Sequence, residues 1–213
     1  MEYMLRAGLT KQEEGDHILD GNVGLPERDE PAMMEEAVKE LESVVDRPLQ
    51  LDTSDIQAME RGLRAYNGKP LINSVNGKEE VMDAVFPLAA RYGGVVVALC
   101  LDEGGIPETA EGRLAIAEKI YRKAASYGIG PEDILIDGLC LTVSSDSKGA
   151  LTTLETLRGV RDRLGGKTIL GVSNISFGLP QRDNINAAFF TLALESGLSA
   201  AIINPNSEAM MRA

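Results

Sequence analysis

Apolar runs that end in a carboxylate or a carboxamide recur along this chain. The clearest is TILGVSNIS, Thr168–Ser176, where an apolar stretch from Thr168 to Val172 stops at Ser173-Asn174 and a polar loop and an amphipathic segment follow. PLQLD stops at Asp52, PLIN at Asn73, VVVALCLDE at Asp102 and Glu103, ILID at Asp137, AAIIN at Asn204, and HILDGN at Asp20 and Asn22, which makes seven such runs. Short, nearly continuous apolar runs are what parallel strands buried on both faces require. Helical periodicity follows most of them, over residues 32–45, 54–67, 111–128, 149–166 and 184–197 and in the segment after Asn76; residues 1–15 read as the back half of a further helix ending at Gly15. Units of roughly 20–40 residues suit βαβ crossovers. RYGG, SYGIG, RLGG and ESGL place glycine where a helix hands over to the next strand, as a left-handed C-cap demands. The pattern predicts one α/β domain, a ring of parallel strands whose C-terminal ends share the face that holds the chemistry.

Several helix starts are also legible. Ser54-x-x-Gln57 has the form of a capping box, Asn76 with Glu79 three residues on caps the next helix, and Asp183 is the expected cap of the helix before ESGL. These assignments decide which polar strand ends lack a structural task. Asp52 precedes a helix that has Ser54, Asn73 stands ahead of Asn76, Asp137 is followed by the apolar GLCLTV, and Asn174 lies well before Asp183. These four side chains are the candidate site. Asp102 and Glu103 open a Gly-Gly-Ile-Pro loop and read as solvating it. His17 begins a strand, on the face opposite the site, and reads as structural. Arg182 lies near the active face, where an arginine is placed to meet an anion.

Composition narrows the chemistry. A chain of 213 residues with a formal charge of −12 and no basic cluster is a poor partner for nucleic acid. No apolar run approaches the ~20 residues of a membrane span and no signal peptide is evident, so a cytoplasmic protein is expected. Cys100 and Cys140 are expected to be buried and reduced, and one histidine without a CxxC pair leaves no all-protein zinc site. No GxxxxGK[ST] or GxGxxG cradle is present, and no Ser–His or Cys–His pair for covalent catalysis. Two carboxylates and two carboxamides instead suit a flat heterocycle. An ionised Asp accepts two N–H donors, such as the N3–H and 2-amino group of a 2-amino-4-oxo-pyrimidine, while Asn both donates and accepts.

ILDGNVGLP, LQLDTS, LINSVNGKEE, VALCLDEGGIPETAEGR, LIDGLCLTVS and ILGVSNISFGLPQR, six motifs in order over nearly the whole chain, resemble the pterin-binding family. Within it they resemble the methyltetrahydrofolate-binding domains of cobalamin-dependent methionine synthases and the folate:corrinoid methyltransferases. The resemblance implies a TIM (β/α)8 barrel and folate as substrate. It implies that Asp52, Asn73 and Asp137 hold the pterin edge, that Asn22 lines the same pocket, and that Asn174 meets N5, the atom bearing the methyl group. Asn174 is neutral, so its implied catalytic role is to orient N5 and stabilise N5–H⁺, with the proton arriving from solvent or a water held by the carboxylates. The implied cofactor is cobalamin on a partner domain or protein, because the chain has neither a DxHxxG corrinoid motif nor a cysteine triad for a thiol acceptor.

The sister enzyme, dihydropteroate synthase, typically has Ser-Arg-Lys where this chain has Ser173-Asn174-Ile175, which favours methyl transfer over condensation. A dihydropteroate synthase-like activity, and a pterin-binding module without turnover, are the alternatives. The chain departs from the family in having Gly138 where proline usually follows the aspartate, which loosens the turn, and Gly21 in place of a bulky residue. It also lacks a counterpart of the opening strand, and only NSEAMMRA follows AAIINP. The expectation is therefore a barrel missing its first strand and last helix, with open edges at HILDGN and AAIIN that invite self-association.

Overall fold

The computed structural model describes residues 2–22 and 29–213. Helices and strands alternate along it: α1 (Glu2–Glu13), β1 (Leu19–Asn22), α2 (Glu30–Glu42), β2 (Leu49–Asp52), α3 (Ile56–Ala65), β3 (Leu71–Asn76), α4 (Glu79–Tyr92), β4 (Val95–Leu99), α5 (Ala110–Ser126), β5 (Ile134–Asp137), α6 (Gly149–Leu164), β6 (Lys167–Gly171), α7 (Arg182–Glu195), β7 (Ala200–Ile202) and α8 (Glu208–Met211). The strands form one parallel sheet in the order β1 to β7, each hydrogen-bonded to its neighbour in sequence, with β1 and β7 as its edges. This is the strand order of a TIM-type barrel, expressed here in seven strands. Of the loop expected before the second helix, residues 23–28 lie outside the described residues.

Strand alternation sorts the side chains onto the two faces of the sheet. Leu51, Ile72, Val96, Ala98, Ile134 and Ile136 point outward and are buried against Met59, Met82, Phe86, Ala117 and Ile120 of the helices. Their neighbours Leu71, Val97 and Ile169, with Val95, Leu99, Leu135, Ala200 and Ile202, form a separate inner cluster. A third group joins Leu170 of β6 to Leu154 and Leu157 of α6 and Phe189 of α7. The inner cluster fills the concave side of the sheet, and the polar strand ends stand above it.

The glycines of RYGG, SYGIG, RLGG and ESGL do turn the chain with positive φ, at Gly93, Gly128, Gly165 and Gly197. The helix starts are where the sequence reading needs correction. Asp55, not Ser54, caps α3, its Oδ1 accepting from the N–H groups of Gln57 (2.7 Å) and Ala58 (3.1 Å); a carboxylate one residue nearer the helix satisfies two donors at once. Asn76 does not cap α4. It closes a local turn by accepting from Lys78 N–H at 3.0 Å, and Glu79 N–H is taken by the Glu103 carboxylate at 3.0 Å. Asp183 lies inside the first turn of α7, whose N-cap is Gln181 at φ 52°. α2 begins at Glu30 behind an Asp29 cap and ends at Glu42, earlier than the 32–45 span expected. None of these corrections makes Asp52, Asn73, Asp137 or Asn174 a helix cap. Among the described residues, no helix is long and apolar enough to cross a membrane.

Candidate functional site

Parallel register places three of the expected side chains in one row. Asn22 of β1 is level with Asp52 of β2, and Asp52 with Asn73 of β3. Asn22 Nδ2 donates to Asp52 Oδ2 at 3.2 Å. One pleat below, on the same face, Gln50 is only 3% exposed and its Nε2 donates to Asp20 Oδ1 at 2.8 Å, so a second polar pair underlies the first. Beside the row, Thr53 Oγ1 donates to the Glu30 carboxylate. A cavity of about 740 Å³ opens over these strand ends, lined by Asn22, Glu30, Asp52, Asn73, Asn76 and Glu80 with Met59, Val85 and Leu99 as apolar walls. Burial holds the Asp52 carboxyl above the usual carboxylate range; the hydrogen bond from Asn22 opposes this, and the Asp20 and Glu30 carboxylates add to it.

Asp137 stands further round the sheet. The register of β3 shifts between Asn73 and Val75, after which Asn76 is level with Leu99, and Leu99 with Asp137. Asp137 is thus offset along the sheet from the Asn22–Asp52–Asn73 row, as the stagger of barrel strands requires. Its Oδ1 accepts from Leu139 N–H at 2.8 Å, and Leu139 adopts φ 59° to present that donor. Burial pushes the Asp137 carboxyl up to about 6, against the pull of the Leu139 N–H and the Arg113 guanidinium.

Asn174 is exposed in the 3-10 turn Val172–Ser176 that follows β6, not on the strand itself. Its amide lies across Gly171, where an added Cβ would stand 3.2 Å from Asn174 Nδ2. Arg182 holds this turn: Nε donates to Ser176 Oγ at 3.0 Å and Nη2 to Ser173 O at 2.8 Å, while Ser176 Oγ donates to Asn186 Oδ1 at 2.7 Å. Arg182 was expected to meet an anion; its guanidinium instead serves the loop and lies 5.8 Å from the Phe177 ring centroid. The structure therefore brings Asn22, Asp52 and Asn73 together around one cavity, whereas Asp137 and Asn174 occupy the same rim of the sheet outside that cavity's lining.

The weaker candidates take structural tasks. Asp102 Oδ1 accepts from Gly104 N–H at 2.8 Å, and Glu103 pairs with Lys119 at 3.6 Å. Cys100 and Cys140 are buried free thiols, both pushed up to about 12 by burial. Among the described residues, no three His, Cys, Asp or Glu side chains gather as a metal site would need. The sequence reading missed Gln50, Glu30 and Arg113. Gln50 was discoverable as the polar residue two before Asp52 in an otherwise apolar run, and Arg113 as a charge on the apolar face of EGRLAIA. Glu30 gave no signal, because nothing in the pattern ties the start of α2 to the end of β2.

Comparison with known proteins gives a consistent picture. Residues 3–204 match the family described as pterin binding enzyme. The chain is 34% identical over 203 residues to methionine synthase of Mycobacterium leprae, covering 89% of this chain and 17% of that protein. It is 31% identical over 176 residues to methylcorrinoid:tetrahydrofolate methyltransferase of Eubacterium limosum, covering 81% of this chain and 65% of that one. The chain thus spans less than two thirds of the length of these relatives. Among solved structures, a dihydropteroate synthase of Yersinia pestis superposes with a TM-score of 0.76 at 16% identity, covering 98% of this chain and 85% of the other. One of Thermus thermophilus gives 0.73 at 22%, covering 100% and 86%. At such identities these two speak for the fold alone. The motif order, the barrel strand order and the family match over residues 3–204 lead to one conclusion: the chain belongs to the pterin-binding enzyme family.

Proposed function

We propose that this chain binds 5-methyltetrahydrofolate at the rim of its strands and presents the N5-methyl group to a cob(I)alamin or related corrinoid carried by another domain or protein. The observation that supports this most is the row Asn22–Asp52–Asn73 facing one cavity, with Asn174 on the turn after β6 in place of a basic side chain. An ionised Asp52 and an ionised Asp137 accept N–H donors of the pterin ring, and Asn73 and Asn22 supply amides that donate and accept. When bound at its own site, the corrinoid supplies the nucleophile that takes the methyl group. As the N5–CH3 bond breaks, the bonding pair stays on N5, which must gain a proton to leave as tetrahydrofolate. Asn174 orients N5 and hydrogen-bonds it as charge develops, which contributes to the rate only insofar as that bond strengthens in the transition state. The proton comes from solvent or from a water held by the carboxylates. A dihydropteroate synthase-like condensation draws support from fold alone, at 22% identity or less.

Equilibrium titration with 5-methyltetrahydrofolate, and separately with a dihydropterin pyrophosphate, tests the assignment. Saturable binding of the methylfolate that Asp52→Asn weakens is the expected result. Binding of the pyrophosphate alone would turn the assignment to condensation, and binding of neither would remove the pterin site.

A further inference from the structure

Arg113, on the first turn of α5, is 1% exposed. Among the described residues its hydrogen bonds run to neutral oxygens. Nε donates to Pro107 O at 3.0 Å, and Nη1 reaches Gly138 O at 2.7 Å, Leu139 O at 3.0 Å and Thr153 Oγ1 at 3.3 Å. A buried guanidinium is expensive unless it is well hydrogen-bonded and answers a nearby negative charge. The two carbonyls it clamps belong to the residues that directly follow Asp137. They form the turn that brings Leu139 N–H back onto Asp137 Oδ1, with Leu139 at φ 59°, a conformation non-glycine residues seldom hold without support. Thr153 Oγ1 reinforces the same turn, 3.2 Å from Leu139 O. The turn also contains Gly138, where the family resemblance leads one to expect proline, so its rigidity has to come from outside the backbone.

We propose that Arg113 is the positioning residue for Asp137: its guanidinium fixes the Gly138–Leu139 turn, so that one carboxylate oxygen is held by Leu139 N–H and the other is left for the N–H edge of a bound pterin, and its charge favours the anionic acceptor. The identity of the ligand rests on the function proposed above; the link between Arg113 and Asp137 does not. Among the described residues, the groups that face Asp137 are few. Its sheet neighbours are Leu99 and Ile169, which are apolar, and the titratable groups around it are Cys100 beyond β4, Cys140 on the following segment, and Arg113 itself. Both thiols stay neutral up to about 12. Arg113 is the cation that lowers the Asp137 carboxyl, and Asp146 also acts on the guanidinium.

Carboxyl ¹³C titration of Asp137 in the ligand-free chain, paired with pterin affinity measured across pH, tests the proposal on Arg113→Met and Arg113→Lys. In Arg113→Met, Asp137 is expected to titrate about one pH unit higher than in the unaltered chain, and the pH at which affinity is half lost moves up with it. Arg113→Lys restores the charge but not the planar fork. Its Asp137 titrates close to the original position, while affinity at pH 8 stays roughly tenfold weaker. An Asp137 titration that is the same in all three proteins overturns the proposal, as does an affinity loss in Arg113→Met that is equal at every pH. Should Arg113→Met not fold, Thr153→Val decides: a smaller shift in the same direction supports the clamp, and an unmoved titration overturns it. A chain that binds no pterin would defeat the proposed function while leaving the carboxyl titration to judge Arg113.

Discussion

Replacing Asp137 with asparagine separates the stability cost of a half-buried carboxylate from its use. In the folded chain burial pushes this group from the ordinary 3.8 up to about 6, a difference that corresponds to roughly 3 kcal/mol against the ionised folded state. The folded pKa is raised, so the sign follows directly. Below about 3.8 the carboxyl is protonated in both states and no penalty exists. Between about 3.8 and 6 the unfolded chain gives up the proton first, and stability declines as pH rises. Above about 6 the penalty is constant. Asp137 keeps part of its surface accessible to solvent, so solvent screening reduces the expected size to about 1–2 kcal/mol at pH 8. Asparagine keeps the shape and the acceptor for Leu139 N–H, and it has no charge to desolvate. Asp137→Asn is therefore expected to raise the unfolding free energy of the ligand-free chain by about 1–2 kcal/mol at pH 8, by about half as much at pH 5, and by nothing near pH 3.5. The same variant should bind folate more weakly by ~1.5–3 kcal/mol, the loss of charge-assisted hydrogen bonds. Urea unfolding followed by circular dichroism at the three pH values reads the first effect, and equilibrium titration the second. A gain that does not change with pH, or a loss of stability at pH 8, would refute the claim that burial of the ionised carboxyl is the dominant influence.

Asp52→Asn is expected to weaken methylfolate binding by ~1.5–3 kcal/mol in the same titration, again from loss of a charged acceptor; unchanged affinity there and at Asp137 would move the site elsewhere. Because both carboxyls are raised, affinity should fall as pH drops through about 6, since protonation removes the acceptor; a flat profile between pH 5 and 8 would mean that neither ionised carboxylate is used. Asn174→Ala should slow methyl transfer by about 100-fold while affinity changes far less, and equal losses in both would make Asn174 a binding residue only. Gly171→Ala places a Cβ 3.2 Å from Asn174 Nδ2, so it should reproduce that defect at about a tenth of its size; transfer at the original rate would show that the amide need not lie across Gly171.

Much of this was legible in the residues. Seven strands were countable because each apolar run ends in a residue too polar for the core, and the parallel sheet places those ends on one rim. Register then puts Asn22, Asp52 and Asn73 side by side, which periodicity cannot foresee: the alignment depends on how neighbouring strands slide, and β3 even shifts register after Asn73. Caps were read one or two residues off at α3, α4 and α7; at α4 and α7 the N-cap residues, Lys78 and Gln181, make no side-chain cap hydrogen bond. At α3 the choice fell to Asp55, whose carboxylate takes two donors, over the hydroxyl of Ser54. Gln50 with Asp20, Thr53 with Glu30, and Arg113 with the Gly138–Leu139 turn are all contacts between segments far apart in sequence. Gln50 and Arg113 stand out in their own segments, but nothing local names the partner that each one meets. Asn174 was identified correctly as standing ahead of its helix, yet it lies on a turn of its own, held by Arg182 from the start of α7.

The proposed function requires that this rim present a methyl group rather than merely hold a pterin. The most direct measurement follows the absorbance of chemically reduced cob(I)alamin mixed anaerobically with 5-methyltetrahydrofolate and the chain. Conversion to methylcobalamin at a rate that depends on the chain, and that falls about 100-fold in Asn174→Ala, is the predicted result. Saturable folate binding with cobalamin methylated no faster than in protein-free solution would contradict it.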